Sequence, residues 1–174
     1  MAEAGATSFE IVRGYLPGTI GRIAELHAAY YHKAHGFGLA FEQKVARELG
    51  DFCLRIDSAR DGLWLLRRDD HIEGAIVIDG VHASSEGAHL RWFIISDSVR
   101  GQGHGAELLS AAMAHCRVLG FTRVYLWTFE GLDAARHLYE QVGFRLTQAA
   151  RGSQWGREVT EQRFEARLDL LAYK

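Results

Sequence analysis

The run Val99-Arg100-Gly101-Gln102-Gly103-His104-Gly105-Ala106 decides how this chain is read. Before it stands an apolar segment, Leu90-Arg91-Trp92-Phe93-Ile94-Ile95, with the residue types of a strand. After it, Glu107 to Leu119 reads as a helix. A strand, then glycines, then a helix presents backbone N–H groups to a phosphate. Glycine lacks Cβ, so the chain can approach a ligand closely and take positive φ. A helix start adds unpaired N–H donors and partial positive charge. Three alternate glycines exceed what a tight turn capping a helix needs. The spacing Arg-x-x-Gly-x-Gly differs from the dinucleotide fingerprint Gly-x-Gly-x-x-Gly and from the nucleotide loop that ends in Gly-Lys-Ser/Thr.

Working outward, Phe9 to Val12 alternates like a strand, and Pro17-Gly18 opens a helix. Its apolar positions are Ile20, Ile23, Leu26, His27 and Tyr30. Gly36 and Gly38 break that pattern, and Phe41 to Leu54 is a second helix with Phe41, Val45, Leu49 and Phe52 on one face. Gly62 to Leu66 and Ile72 to Ile78 are the strands of a hairpin turning at Arg68-Asp69-Asp70-His71. His89 to Ile95 is a longer strand. Arg123 to Thr128 is another, followed by a helix from Asp133 to Val142 that Gly143 caps. Phe144 to Leu146 starts a strand, Gly152 and Gly156 frame a loop, and Glu161 to Leu168 is the last strand. The order is β-α-α-β-β-β-α-β-α-β-β, an α+β fold expected to form a single domain over residues 1–174 with its core at about 9–168.

The bulk numbers narrow the class. With 174 residues, 48% hydrophobic and 24% charged, the chain can bury a sizeable core as a soluble globular domain. The 20 basic and 22 acidic residues leave a net charge of −2, without the basic stripe of a nucleic-acid or membrane-surface binder. Neither nucleic acid nor membrane is expected as a partner. Met1 to Ser8 has no basic or apolar region of a secretion signal, and the two cysteines, Cys53 and Cys116, are expected to be buried thiols in a reducing compartment. A cytoplasmic location follows. Nine histidines raise a metal site, but His32 and His35 lack the Glu of a His-Glu-x-x-His helix, and no metal is expected. No Gly-x-Ser-x-Gly elbow marks a serine hydrolase.

A second motif joins the glycine run. Ala134-Ala135-Arg136-His137-Leu138-Tyr139-Glu140-Gln141-Val142-Gly143-Phe144 follows the pattern Ala-x-x-Leu-Tyr-x-x-x-Gly-Phe. Together, in this order and at this interval, the two motifs resemble the GNAT family of acetyl-CoA-dependent N-acetyltransferases. The likeness covers nearly the whole of residues 9–168. It implies the acyl-CoA N-acyltransferase fold: a mixed, mostly antiparallel central sheet splayed between strands four and five and flanked by helices. Leu126 to Arg136, with Leu90 to Phe93 and Tyr30 to Phe37, looks like the subgroup found fused behind MarR-type winged-helix regulators. The GNAT pattern starts by Phe9, so the chain is expected to be a free-standing version.

The resemblance also implies a division of labour. Arg100, Gly101, Gln102, Gly103, His104, Gly105 and Ala106 would form the loop that cradles the pyrophosphate of acetyl-CoA, with His104 pointing to solvent. Phe93, Ile94 and Ile95 would hydrogen-bond the pantetheine arm as if it were an added strand. Tyr139 would be the general acid that protonates the leaving thiolate. Many relatives carry Asn seven residues before that tyrosine, where this chain has Leu132.

The general base has three candidates: His89 on strand four, Glu86 before it and Glu130 after strand five. Tyr30, Tyr31, His35, Trp92, Trp127, Trp155 and Glu161 are candidates to line the acceptor cleft. An aromatic and acidic lining suits a small-molecule or peptide amine. The resemblance leaves a homodimer open. A function of a different class, a non-catalytic acyl-CoA-binding or sensing module, would use the same loop.

Overall fold

In the computed structural model, residues 8–169 are described, so the reading of Met1 to Ser8 falls outside them but for its last residue. The elements follow in the order β1 (Phe9–Arg13), α1 (Thr19–His35), α2 (Leu39–Arg55), β2 (Gly62–Arg68), β3 (His71–Asp79), β4 (Ala88–Ile95), α3 (His104–Val118), β5 (Arg123–Phe129), α4 (Asp133–Gln141), β6 (Arg145–Gly152) and β7 (Val159–Arg167). All seven strands form one sheet in the order β1-β2-β3-β4-β5-β7-β6. Neighbours are antiparallel except β4 and β5, which run parallel.

Period-two alternation sorts the central strands onto two apolar layers. Leu63 and Leu65 of β2 and Ala75 and Val77 of β3 face α1 and α2, where Ile23, Leu49 and Phe52 meet them. Trp64, Leu66, Ile76 and Ile78 face the other way, against Leu108, Leu109, Ala112 and Met113 of α3. With both faces covered, β3 reads as an almost unbroken apolar run. Phe52 is fully buried. Truncating it to alanine would cost about 3–5 kcal/mol.

Two irregularities shape the middle of the sheet. β4 and β5 pair only through Ala88 with Val124 and His89 with Tyr125, then diverge. The splay that the resemblance implied is therefore present. On its other edge, β4 carries a bulge: Arg91 faces Val77 and Ile94 faces Ala75, so Trp92 and Phe93 together oppose Ile76. Trp92 takes φ 45°, left-handed backbone that a bulky residue rarely adopts. The surroundings hold it there: its ring packs on Phe52 at 5.7 Å and under the Arg91 guanidinium at 4.0 Å.

The structure refines the sequence reading in several details. α3 begins at His104, not Glu107, so Gly105 already lies inside the helix. α1 continues to His35, and only residues 36–38 link it to α2. Tyr31 faces a third apolar cluster, with Phe41 at 5.1 Å and Phe37 at 5.7 Å. Cys116 is buried, but Cys53, at the edge of the cluster around Leu49 and Phe52, is only half-buried.

Candidate functional site

Where β4 and β5 part, two cavities open end to end. The larger, about 640 Å³, is lined by Phe93, Ile94, Ile95, Val99, Arg100, Gly101, Gly103, His104, Gly105 and Ala106, with residues 131–135 and Leu138 opposite. Of the predicted loop residues only Gln102, exposed to solvent, stays outside this lining. Gly103 ends the loop with φ 90° and caps α3 without a side-chain hydrogen bond. Glu107 N–H, bonded to the Gly103 carbonyl at 3.2 Å, is the helix's first paired donor, so the amides of His104, Gly105 and Ala106 are left for a ligand. At Gly105 a Cβ would lie 3.4 Å from Phe93 and Leu138, an ordinary contact distance, so the groove floor packs closely against this turn of the helix without requiring glycine.

Arg100 lies across the groove. Its Nη2 donates to the Ile95 carbonyl at 2.8 Å, its Nε to Asp97 at 3.2 Å, and its guanidinium stacks on Tyr30 at 4.4 Å. His104 does not simply point to solvent: β1 covers it, with Phe9 at 4.3 Å, and Nδ1 meets Glu107 at 3.1 Å. The splayed edge of β4 beyond His89 has no β5 partner, which leaves room for a ligand to pair there as an added strand. A cradle of bare amides, positive-φ glycines and an open strand edge fits a long phosphorylated ligand such as coenzyme A.

The second cavity, about 210 Å³, is lined by His27, Tyr31, Phe41, Lys44, Glu48, His89, Arg91, Trp92, Trp127, Phe129, Tyr139, Gln154 and Trp155, among others. Tyr31, Phe93, Leu132 and Ala135 line both cavities and mark where they join. Tyr139 comes from α4 and is buried among Phe93, Phe144 and Phe164, at ring distances of 5.9–6.5 Å. Burial raises its phenol well above the usual tyrosine value, with Tyr31 adding to the shift. Neither Tyr139 nor Tyr31 has a hydrogen-bond partner for its hydroxyl among the described residues, and both line the cavity. Burial likewise raises the Tyr31 phenol.

The predicted bases separate. His89 lines the cavity, stacked on Tyr125 at 4.4 Å, and burial, with Arg91 nearby, lowers it to about 3. Glu86 and Glu130 are exposed and line neither cavity. Of the predicted acceptor residues, Tyr31, Trp92, Trp127 and Trp155 line the smaller cavity, and Tyr30 lines the larger. His35 stands behind them, edge-on to Phe129 at 4.9 Å. Glu161 lies outside the lining, where its Oε1 accepts from the Gln154 N–H at 2.9 Å.

Sequence reasoning passed over three polar groups. His27 is 6% exposed and lies four residues before Tyr31, on the same face of α1. Its Nδ1 is 2.9 Å from the Ile23 carbonyl. A carbonyl only accepts, so that nitrogen carries the proton and Nε2 keeps the lone pair. Burial lowers this imidazole to about 4, so it is neutral near pH 7. Lys44 and Glu48 pair at i, i+4 on α2, and Arg91 Nη2 reaches Glu48 Oε2 at 2.5 Å. A polar residue on the apolar stripe of α1 was a usable signal for His27. Nothing local links Glu48 to a residue 43 positions away.

This geometry defines a class: an α+β protein with a glycine loop of unpaired amides and a buried phenol on either side of a split sheet. Residues 22–144 match the family model described as Acetyltransferase (GNAT) family, and the chain belongs to that family. Its fold is the GNAT fold, as solved structures confirm. An acetyltransferase from Streptococcus agalactiae superposes with a TM-score of 0.71 at 18% identity, over 92% of this chain and 98% of that one. A putative acetyltransferase from Salmonella typhimurium, solved with its cofactor acetyl-CoA, gives 0.70 at 14% identity, over 94% and 96%. A ribosomal-protein-alanine N-acetyltransferase from Brucella melitensis gives 0.70 at 13% identity, over 91% and 99%. No curated protein matches the chain.

Proposed function

We propose that this protein is an acetyl-CoA-dependent N-acetyltransferase that passes the acetyl group directly to a primary amine. The observation that carries the reading is the junction of the two cavities beside Tyr139. A donor held in the larger cavity would bring its thioester to Phe93 and Leu132, next to the phenol and facing the smaller cavity. The Salmonella relative's acetyl-CoA supports this choice of donor.

Each residue then has a task. The amides of 104–106 and the dipole of α3 bind the pyrophosphate. Phe93, Ile94 and Ile95 hold the pantetheine along the open edge of β4, Arg100 leaving the Ile95 carbonyl to admit it. His27 Nε2 accepts the proton lost by the attacking nitrogen, and Tyr139 gives its proton to the departing sulfur. Among the described residues no cysteine lines either cavity, and burial pushes Cys116 up to about 12, which supports direct attack without an acyl-enzyme. The paired motifs and Leu126–Arg136 support kinship with the regulator-fused subgroup, and two unpaired thiols support a cytoplasmic setting. The non-catalytic alternative gains no observation of its own.

The test is a calorimetric titration with acetyl-CoA followed by thiol release across a panel of amines. Micromolar binding with amine-dependent release is expected. Binding with no release over the whole panel would leave a sensing module, and no binding would remove both.

A further inference from the structure

The smaller cavity has two unlike ends. At the junction its walls are apolar but for the two phenols. At the far end α2 and β4 bring together Lys44, Glu48 and Arg91, the charged residues of the lining. Glu48 is already doubly paired, with Lys44 Nζ and Arg91 Nη2 each at 2.5 Å, and Arg47 stands 3.6 Å away. Arg91 Nη1 is 3.7 Å from Asp79, which is itself held by both terminal nitrogens of Arg55 at 2.5 and 3.1 Å. His27 and His89 are neutral near pH 7. The nearby Arg163 and Glu165 cancel, paired at 2.9 Å. The lining therefore holds two cations against one carboxylate.

This balance selects among amines. A second cationic group on the acceptor would meet a carboxylate whose partners are in place, and would be repelled by Lys44 and Arg91. A carboxylate would meet spare donors: an ammonium has three N–H bonds and a guanidinium five. The same lining carries Phe41, Trp92, Trp127 and Trp155, which suit an apolar body. The volume, about 210 Å³, is below the ~300–1,000 Å³ usual for drug-sized ligands.

We propose that the acceptor is a primary amine bearing a carboxylate, a free amino acid with an apolar side chain, its carboxylate held by Lys44 and Arg91 and its nitrogen presented at the junction. This inference rests on the acetyl-transfer reading of the same site.

The experiment uses matched pairs differing only in the carboxylate: L-phenylalanine and phenethylamine, L-leucine and isoamylamine, L-methionine and 3-(methylthio)propylamine, with putrescine as the dication. In thiol release, at least one acid is expected to exceed its decarboxylated partner by about 10–100-fold in kcat/KM, the loss of one charge-assisted contact. Lys44→Gln should raise KM for that acid by about 10-fold more than for its partner amine, and Arg91→Gln should do the same if it folds. Equal or better turnover of the amines or of putrescine would overturn the proposal, as would a Lys44→Gln defect of equal size in both members of a pair. Calorimetry into protein saturated with CoA separates the two readings. If nothing turns over although acetyl-CoA binds, acetyl transfer fails. The carboxylate site then stands only if an acid binds and its partner amine does not, and it is overturned if both bind alike or neither binds.

Discussion

Gly103→Ala and Gly18→Ala form a controlled pair that isolates what the loop glycine does for a ligand. Gly103 caps α3 at φ 90° and ψ −7°; Gly18 caps α1 at φ 90° and ψ −9°. Neither makes a side-chain cap, and a Cβ at either would meet nothing within 4 Å. The folding cost is thus conformational and the same at both: about 1–2 kcal/mol for a side chain in left-handed backbone. For a chain of this size that is a fall of about 2–8 °C in Tm. The ligand consequences differ. Gly18 is remote from both cavities, while Gly103 lines the larger one, where a methyl group would occupy the path of a phosphate to bare amides. Acetyl-CoA Kd by calorimetry should rise about 10-fold or more in Gly103→Ala, equivalent to about 1.4 kcal/mol, and stay unchanged in Gly18→Ala. Equal Kd values in the two variants, at equal Tm loss, would mean that the glycine serves only the turn and not a ligand.

Other outcomes follow from the same geometry. Tyr139→Phe removes a hydroxyl with no partner in the described protein, so Tm should hold or rise slightly while kcat falls about 10²–10⁴-fold; an unchanged kcat removes Tyr139 from the mechanism. His27 should make the fold acid-sensitive. Its unfolded form takes a proton near 6.5 and its folded form only near 4, so the unfolded state binds more protons between those values and stability falls as pH drops. The loss approaches about 3 kcal/mol at pH 4. His27→Phe should flatten that part of a Tm-versus-pH curve, and an unaltered slope would contradict the buried neutral imidazole. Glu86→Gln and Glu130→Gln should leave kcat/KM within about twofold, since both side chains lie outside the cavities; a 100-fold loss in either would restore it as a base.

The chain's local patterns carried most of the fold. Alternation in Gly62–Leu66 and Ile72–Ile78 and the stripe of Phe41, Val45, Leu49 and Phe52 each depend on neighbours within a turn or two, and each element stands where the pattern put it. The larger cavity's loop wall was equally legible, because its amides come from consecutive residues. The smaller cavity was not. Its polar wall joins α2 to β4, and the Glu48–Arg91 contact exists only once the sheet has brought them together. Glu86 and Glu130 failed to reach the cavity for a related reason: a position near a strand end in sequence does not say which way the chain has turned, and both chain segments leave the sheet toward solvent there. The bulge at Trp92 had no local mark either, since a bulky aromatic at positive φ opposes its own preference and persists only through packing on Phe52 and Arg91.

Direct passage of the acetyl group across the cavity junction is tested most plainly by a single-turnover reaction with carbon-13-labelled acetyl-CoA and an accepted amine, followed by mass analysis of product and intact protein together. Direct transfer puts the label on the amine nitrogen in step with thiol release and leaves the protein's mass unchanged throughout. Label accumulating on the protein before the amine, or leaving as free acetate while the amine stays unmodified, would contradict it.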